Sequence, residues 1–341
     1  MELEIVDLHT SGEPVRIVTG GYPDLPGATI LEKKDAALRN HDALRRVMMQ
    51  EPRGHADMFG MIPVTPSAPG AAIGALFIHH SGYSTMSGHG LIAFSRWAVE
   101  SGRVKRTEPE TRFGLELPCG VVQVTCAVSN GKVTSTYFDG VPSFLSHRDT
   151  PVAVPGLGRV VLDIAYGGAF YAILPASSVG FNFFKAPVED MVAAARAIND
   201  AARAQVKIVH PDAAEFGYLF GTILTDDAPT DRATYHLCVF AGNQIDRSPT
   251  GGGVTARMAR DFARGTIGKG VSRKFYGPTP VPFEATVMGP ASGAVKNAVT
   301  IRVAGSASFL GRSTFVIDET DPLTHGFTLP ATYGDLAARI Y

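Results

Sequence analysis

The sequence predicts a mixed α/β protein made of two copies of one strand-rich unit, each with a buried helix late in the unit. Three observations support this prediction. Short alternating or apolar segments lie between turns in a chain with 37 glycines and 23 prolines, as expected for short strands joined by tight turns. Residues 6–12 recur 156 positions later, at residues 162–168. A glycine-rich junction between a loop and an apolar helix also occurs twice.

The first unit contains most of the expected strands. A helix that begins at Asn40 or Asp42 and ends before Pro52 separates the second strand from the third. Asn130-Gly131 predicts a tight hairpin turn between the last two strands. By alternation and apolar content, the strands are expected at residues 4–9, 15–18, 58–64, 75–79, 121–124 and 133–137.

The most informative stretch is residues 83–90, a loop that turns into a helix. The Ser87 hydroxyl can cap the first backbone N–H groups, and Gly88 and Gly90 allow a small molecule to approach the backbone. Residues 91–99 are apolar on almost every face, so this helix should be buried. A helix N-terminus of this composition is suited to bind an anion, because its free N–H groups and its dipole favour negative charge.

The second unit repeats this order. Residues 171–174 match residues 15–18 at the same offset as the first repeated segment. A helix capped near residues 187–189 carries apolar residues at helical spacing, namely Met191, Ala195, Ile198 and Ala202. Thr250-Gly251-Gly252-Gly253 then repeats the junction at residues 87–90, with a hydroxyl, a glycine, any residue and a glycine. Two equivalent helix N-termini can therefore meet between the units and share one carboxylate.

Composition excludes several classes of function. The chain has 31 Lys and Arg against 32 Asp and Glu, which argues against nucleic acid or an anionic membrane as the main partner. The apolar runs are too short to cross a bilayer, and residues 1–4 lack a signal profile. The three cysteines have no metal-ligand spacing and suggest buried side chains in a reducing cytoplasm. Residues 251–253 lack the later residues of a dinucleotide fingerprint.

Four motifs together resemble the proline racemase superfamily, which includes proline racemase, 4-hydroxyproline epimerase and trans-3-hydroxy-L-proline dehydratase. The resemblance runs from near residue 5 to near residue 327. The motifs are Ser11-Gly12-Glu13-Pro14, Glu51-Pro52-Arg53-Gly54-His55, residues 79–90 and Asp246-Arg247-Ser248-Pro249-Thr250-Gly251.

This resemblance implies two pseudo-symmetric α/β domains, each a curved, mostly antiparallel sheet around a central helix, as in diaminopimelate epimerase. The first domain would comprise residues 1–148 plus about 320–341, and the second residues 149–319. The active site would lie in the cleft between them, and no cofactor or metal would be used.

The resemblance also indicates the reaction. Racemases of this family carry Cys at both helix junctions, whereas this chain has Ser87 and Thr250. Thr at the second position resembles the 3-hydroxyproline dehydratases. A thiol with a pKa near ~8.5 can act as acid or base, but a Thr hydroxyl is too weak to be an equal partner in a two-base racemase. The implied reaction is loss of water from trans-3-hydroxy-L-proline to give Δ1-pyrroline-2-carboxylate.

The family pattern assigns a role to each site residue. Ser87 takes the position of the base, although its alternative role is that of a helix cap. Thr250 contacts the substrate hydroxyl or the departing water, or is itself only a cap. Asp246 binds the ring nitrogen. The backbone N–H groups that hold the substrate carboxylate belong to Gly88, His89, Gly251 and Gly252.

Two other functions stay open from the sequence alone. One is a 4-hydroxyproline 2-epimerase, against which Thr250 argues. The other is a non-catalytic protein that binds hydroxyproline or another amino acid. The expected partner is a small molecule, and a homodimer is a candidate assembly. His236 either lines the cleft or belongs to the core.

Overall fold

The computed structural model describes residues 1–211, 217–240, 244–291, 295 and 297–330. Within these residues lie eighteen strands, four α-helices and one 3-10 helix. The mixed α/β class expected from the sequence is therefore confirmed.

The first half contains eight strands and two helices. The strands are β1 (Glu2–Thr10), β2 (Glu13–Gly20), β3 (Phe59–Val64), β4 (Ala71–His79), β5 (Gly82–Ser84), β6 (Glu110–Leu117), β7 (Gly120–Ser129) and β8 (Lys132–Asp139). The helices are α1 (Ile30–Met49) and α2 (Gly88–Glu100).

The second half contains ten strands, two α-helices and the 3-10 helix Ala176–Val179. The strands are β9 (Phe144–Val154), β10 (Gly158–Tyr166), β11 (Phe170–Pro175), β12 (Leu219–Thr225), β13 (Thr234–Phe240), β14 (Gln244–Ile245), β15 (Ser272–Tyr276), β16 (Phe283–Pro290), β17 (Val299–Gly305) and β18 (Ala307–Val316). The helices are α3 (Val188–Gln205) and α4 (Gly251–Ala263).

The strand pairing repeats between the halves. Strands β1 and β2 are antiparallel, β2 and β3 parallel, β3 and β4 antiparallel, β4 and β6 parallel, and β6, β7 and β8 antiparallel. The same succession runs through β10, β11, β12, β13, β15, β16 and β17. An antiparallel pairing of β8 with β17 joins the two series. The pairing shows the duplication that the sequence predicts.

The ends of the two series are also equivalent. Strand β9 pairs with β10, and β18 pairs in the same way with β1. The chain thus returns to the sheet of the first half at Ala307. The division into domains with boundaries at residues 148 and 320 stays a prediction. The pairing of β18 with β1 favours a return of the chain to the first domain before residue 320.

Helix α1 differs from the expectation. It begins at Ile30, and its start is a capping box in which the Thr29 hydroxyl accepts from the Glu32 N–H while the Glu32 carboxylate accepts from the Thr29 N–H. The predicted start at Asn40 or Asp42 is wrong. The backbone has a non-helical φ of −134° at His41, so the residues that suggested a helix start mark a kink inside a longer helix.

The other local predictions are confirmed. Helix α2 ends just before Gly102, whose φ is +76°, as is typical of a residue that follows a helix. The four apolar positions expected in α3 are all buried. Asn130 and Gly131 both have positive φ values, 51° and 74°, as required for the two-residue turn between β7 and β8.

The two late helices share one hydrophobic core. Leu91, Phe94 and Trp97 of α2 are buried in it together with Val254 and Met258 of α4. Burying one such side chain stabilises the fold by about 1.5–3 kcal/mol. Because both helices pack into the same core, their N-termini are held in a fixed relation.

Candidate active site

The N-termini of α2 and α4 meet directly. A Cβ atom added to Gly88 would lie 3.0 Å from the Gly251 Cα, and one added to Gly251 would lie 3.0 Å from the Gly88 Cα. Only glycine allows the two backbones this approach. The two equivalent helix ends that the sequence predicts therefore face each other across the halves of the molecule.

The start of α2 is capped by Ser87. Its φ and ψ are −146° and 120°, and its hydroxyl accepts from the Gly90 N–H at 3.4 Å, which is the geometry of a helix N-cap. The same hydroxyl lies 3.1 Å from the Nδ1 of His89. Ser87 thus combines the capping role with a contact to a group that can accept its proton.

The His89 ring is held in place from several sides. It is 4% exposed, the Phe59 ring lies edge-on to it at 4.7 Å, and the Thr10 hydroxyl donates to its backbone carbonyl at 2.8 Å. Burial lowers the pKa of His89, and the Asp246 charge opposes this only in part. A neutral imidazole beside Ser87 is able to accept the hydroxyl proton, a side-chain role beyond the backbone role expected from the sequence.

The start of α4 has a different geometry. Thr250 has a φ of +57° and a ψ of 93° and makes no side-chain cap. A positive φ is unusual for a β-branched residue and costs about 1–3 kcal/mol. The Thr250 hydroxyl is buried and contacts the buried Cys238 thiol, while its N–H donates to the Ser248 hydroxyl at 3.1 Å.

A buried polar chain lies behind Thr250. Arg257 of α4 donates to the His236 Nδ1 at 2.9 Å and to the Thr234 hydroxyl at 2.9 Å. His236 then donates from Nε2 to the Pro249 carbonyl at 2.8 Å. Burial and the Arg257 charge hold the pKa of His236 well below its ordinary value, so it is neutral. His236 belongs to the core, and these hydrogen bonds hold Pro249, the residue that precedes Thr250.

Asp246 lies in the loop before α4, and it is 5% exposed. Its Oδ1 accepts from the Ser248 N–H at 2.8 Å. Its charge acts on His89 of the first half and on Tyr171 and Cys238 of the second. Asp246 therefore lies near His89 at the start of α2 and in the loop that precedes α4.

Sequence reasoning gave no role to Glu13, which lies next to this loop. Glu13 is 1% exposed, and its Oε2 accepts from the Arg247 N–H at 2.6 Å. The motif at residues 11–14 contains an acidic residue in a turn, but it does not indicate what that turn contacts. Only the tertiary structure shows that this turn reaches the loop at residues 246–250.

Side chains from both halves close the site on one side. Arg247 forms an ion pair with Asp57 at 2.6 Å, and the Gln244 amide donates to the Ala56 carbonyl. Phe59 of β3 and Phe240 of β13 lie with ring centroids 6.3 Å apart. These contacts join the first half to β13 and to the loop before α4.

A cavity of about 180 Å³ lies beside the meeting point of the helices. Its lining comes from both halves and includes Thr85, Met86, Gly251 and Gly252. Ser87, Thr250 and Asp246 do not line it. We take the meeting point of the two helix starts, with Ser87, Thr250 and Asp246, as the candidate active site, and the cavity adjoins it at Gly251 and Gly252.

Among the described residues, no group of three or more His, Cys, Asp or Glu side chains is arranged to hold a metal ion. In the same part of the chain, no helix is both long and apolar enough to span a membrane.

The model of one protein family, described as proline racemase, matches residues 5–328. The chain belongs to the proline racemase family. The match confirms the resemblance found in the motifs, and it spans both helix junctions.

Curated relatives of this family share a substantial part of the sequence. The trans-L-3-hydroxyproline dehydratase of Xenopus tropicalis is 43% identical over 96% of this chain and 95% of the relative. The human trans-3-hydroxy-L-proline dehydratase is 42% identical, with coverages of 96% and 94%. That of Colwellia psychrerythraea is 40% identical, with coverages of 96% and 93%.

Solved structures of this family have the same fold. A hydroxyproline epimerase from Agrobacterium vitis, with bound trans-4-hydroxy-L-proline, aligns with a TM-score of 0.87 and 26% identity over 99% of this chain and 98% of that one. A probable proline racemase from Agrobacterium radiobacter, with bound carbonate, gives 0.86 and 28% over 99% of both. The diaminopimelate-epimerase-like fold that the resemblance implied is therefore confirmed.

Proposed function

We propose that this protein is a hydro-lyase that removes water from trans-3-hydroxy-L-proline to give Δ1-pyrroline-2-carboxylate, without a cofactor. The observation that carries this proposal is the unequal pair of hydroxyls at the two meeting helix starts. Ser87 has a neutral imidazole beside it, whereas the Thr250 hydroxyl contacts the Cys238 thiol, which stays protonated because burial raises its pKa. Relatives that are 40–43% identical and carry the dehydratase name support the substrate.

The helix ends suit the substrate carboxylate. The backbone N–H groups of Gly88, His89, Gly251 and Gly252 lie in the first turns of α2 and α4, where N–H groups have no partner within the helix. Two helix dipoles directed at one point favour a negative charge there. We assign the carboxylate to this position and the ring ammonium to Asp246, whose charge lies close by.

The stereochemistry of the substrate simplifies the reaction. In trans-3-hydroxy-L-proline the Cα hydrogen and the 3-hydroxyl project from the same face of the ring. Ser87, with His89 as its proton acceptor, removes the Cα proton, the electron pair forms the Cα–C3 double bond, and the C3–O bond breaks. The proton held by this pair passes to the departing oxygen, so that water leaves. The enamine product then isomerises to the imine.

Thr250 faces the opposite side of the ring in this arrangement. We therefore assign to Ser87 and His89 the help for the departing hydroxyl that the sequence assigned to Thr250. Thr250 contacts the substrate without exchanging its proton. A racemase needs an acid on this second face, and a hydroxyl whose neighbour is a buried, protonated thiol does not supply one.

The remaining expectations are proposals as well. We propose that the protein acts in the cytoplasm on a small molecule, binds no nucleic acid, and forms a homodimer. The free thiols of Cys119, Cys126 and Cys238 fit a reducing compartment. The balanced charge of the sequence fits a small-molecule ligand better than a polyanion.

The test is an assay of the pure protein with trans-3-hydroxy-L-proline, followed by mass spectrometry and NMR. We expect loss of one water and appearance of the imine. Absence of turnover would overturn the proposal. With trans-4-hydroxy-L-proline, inversion and solvent deuterium at Cα would instead indicate an epimerase. Thermal stabilisation by hydroxyprolines without turnover of any isomer would indicate a binding protein.

A further inference from the structure

Glu13 connects the two halves at the candidate site. It lies at the start of β2, in the turn that follows β1, and its Oε2 accepts from the N–H of Arg247, the residue after Asp246. The turn is fixed on the second half, because the Thr279 hydroxyl donates to the Ser11 carbonyl at 2.7 Å. Glu13 is thus held against the loop that carries Asp246.

The second oxygen of Glu13 is unsatisfied. Oε1 is buried and has no hydrogen-bond partner among the described residues. An unpaired buried carboxylate is costly, because it loses its hydration without compensation. A carboxyl group in this position is stable either when it is protonated or when a cation lies beside it.

The charges around Glu13 are mostly negative. The groups that act on it are Asp246, Arg247 and Asp57, and it acts in turn on the Cys238 thiol. The Arg247 guanidinium is engaged with Asp57 at 2.6 Å. Burial first, and then the Asp246 charge, raise the pKa of Glu13 well above its ordinary value in spite of Arg247.

Asp246 is also short of a cation. Among the described residues, no Lys or Arg forms an ion pair with Asp246 or with Glu13, and each carboxyl group accepts one backbone N–H. Two carboxyl groups that share a buried region cannot both ionise unless positive charge is added. This deficit of positive charge fits the ring ammonium of an imino acid.

We propose that Glu13, whose buried Oε1 has no partner among the described residues beside the loop that carries Asp246, holds a proton in the empty site, and that the ammonium of the substrate displaces this proton into solvent. Glu13 is then a positioning residue that makes binding proton-linked. The inference rests on the proposed function, since it takes the ring ammonium of hydroxyproline as the ligand. The proton is released as the ammonium binds, and no bond of the substrate changes in this step.

The sign of the pH dependence follows from the release of a proton. Affinity rises as pH increases from the pKa of Glu13 in the complex to its higher pKa in the empty site, by at most about tenfold per pH unit. Above that window the affinity is constant. Glu13→Gln keeps an acceptor for the Arg247 N–H but carries no titratable proton, so this dependence should be lost.

The experiment is isothermal titration calorimetry with L-proline, which has the ammonium and the carboxylate but no 3-hydroxyl to eliminate. Titrations between pH 5.5 and 8.5 in two buffers of different ionisation enthalpy give the number of protons released. For the wild-type protein we expect release of about one proton within this range. This measurement requires no variant, so it stands even if a variant does not fold.

Two variants complete the test. Glu13→Gln should bind L-proline with no proton release and with a Kd independent of pH. Glu116→Gln is the matched control, because Glu116 is also a buried carboxylate with Ser67 as its donor; it should behave as the wild type. Proton release that persists in Glu13→Gln would overturn the proposal, as would wild-type binding without release or no binding at all.

The two proposals fail separately. Turnover of trans-3-hydroxy-L-proline is assayed on the same preparations. Turnover without proton-linked binding would remove the role of Glu13 and leave the dehydratase. Proton-linked binding of L-proline without turnover would leave the role of Glu13 and remove the dehydratase.

Discussion

The helix starts at Ser87 and Thr250 occupy equivalent places in the two halves, and their hydroxyls have different surroundings. Ser87 lies in extended backbone, caps its helix and contacts the neutral His89 ring. Thr250 has a positive φ, makes no side-chain cap and has the buried, protonated Cys238 thiol beside its hydroxyl. The two helix ends keep equivalent positions, and in the part of the chain that the structure describes the neutral imidazole lies beside the Ser87 hydroxyl.

The difference extends into the helices. Seven residues after each hydroxyl, α2 has the buried Phe94 and α4 has the buried Arg257. Through His236, Arg257 reaches the Pro249 carbonyl. The start of α4 is thus supported by a series of buried hydrogen bonds. These hydrogen bonds help to hold Thr250 in a backbone conformation that is unfavourable for a β-branched residue.

The first prediction compares the activities of two variants, each lacking one of the two hydroxyls. Ser87→Ala should lower kcat by about 10³-fold, because it removes the group that carries the proton. Thr250→Ala should lower kcat by about tenfold, the effect of a lost contact worth about 1.4 kcal/mol. Steady-state kinetics with trans-3-hydroxy-L-proline measures both. Circular dichroism should confirm folding, since loss of the Ser87 cap costs about 0.5–2 kcal/mol. Equal losses in the two variants would contradict the assignment of one base.

The second prediction concerns the feature that the two helix starts share. Gly88→Ala and Gly251→Ala should each destabilise the protein by about 1–3 kcal/mol, since the added Cβ would lie 3.0 Å from the opposite Cα. Thermal and urea unfolding measure this effect. Gly268→Ala is the control, because a Cβ at Gly268 has no neighbour within 4 Å, and it should be neutral. Tolerance of both substitutions at the contact would show that the helix ends do not meet.

The third prediction concerns the pH dependence of kcat, which should report on the His89 ring beside Ser87. Burial lowers the pKa of His89, so kcat at saturating substrate should be constant above about pH 6.5 and fall about tenfold per unit below the lowered pKa, where His89 gains a proton. His89→Gln should have a lower kcat without this acidic limb. His147→Gln replaces a histidine of β9 outside the site and should keep the wild-type profile. An unchanged limb in His89→Gln would assign it to another group.

Local signals made much of the fold predictable. The Asn130-Gly131 turn, the apolar α2 and the spaced apolar residues of α3 each depend on nearby sequence. The repeat between the halves indicated which helix ends correspond. From this correspondence the sequence predicts that Ser87 and Thr250 approach the same ligand, and the contact of Gly88 with Gly251 agrees with that geometry.

Other features depend on contacts between distant segments or on competing local signals. The start of α1 was misplaced because Asn40 and Asp42 are good caps, while the capping box of Thr29 and Glu32 lies further upstream. Neither the positive φ of Thr250 nor the placement of Glu13 against Arg247 has a local signal. The conformation of Thr250 depends on the buried hydrogen bonds behind the site. The placement of Glu13 depends on packing between segments more than two hundred residues apart.

The contact between Gly88 and Gly251 also limits how the two copies can diverge. Elsewhere the copies differ freely, as Phe94 and Arg257 show. At this contact the backbone of each copy packs directly against the backbone of the other. A side chain gained by one copy would therefore require the other copy to move. A change in either half at this point therefore requires a matching change in the other half.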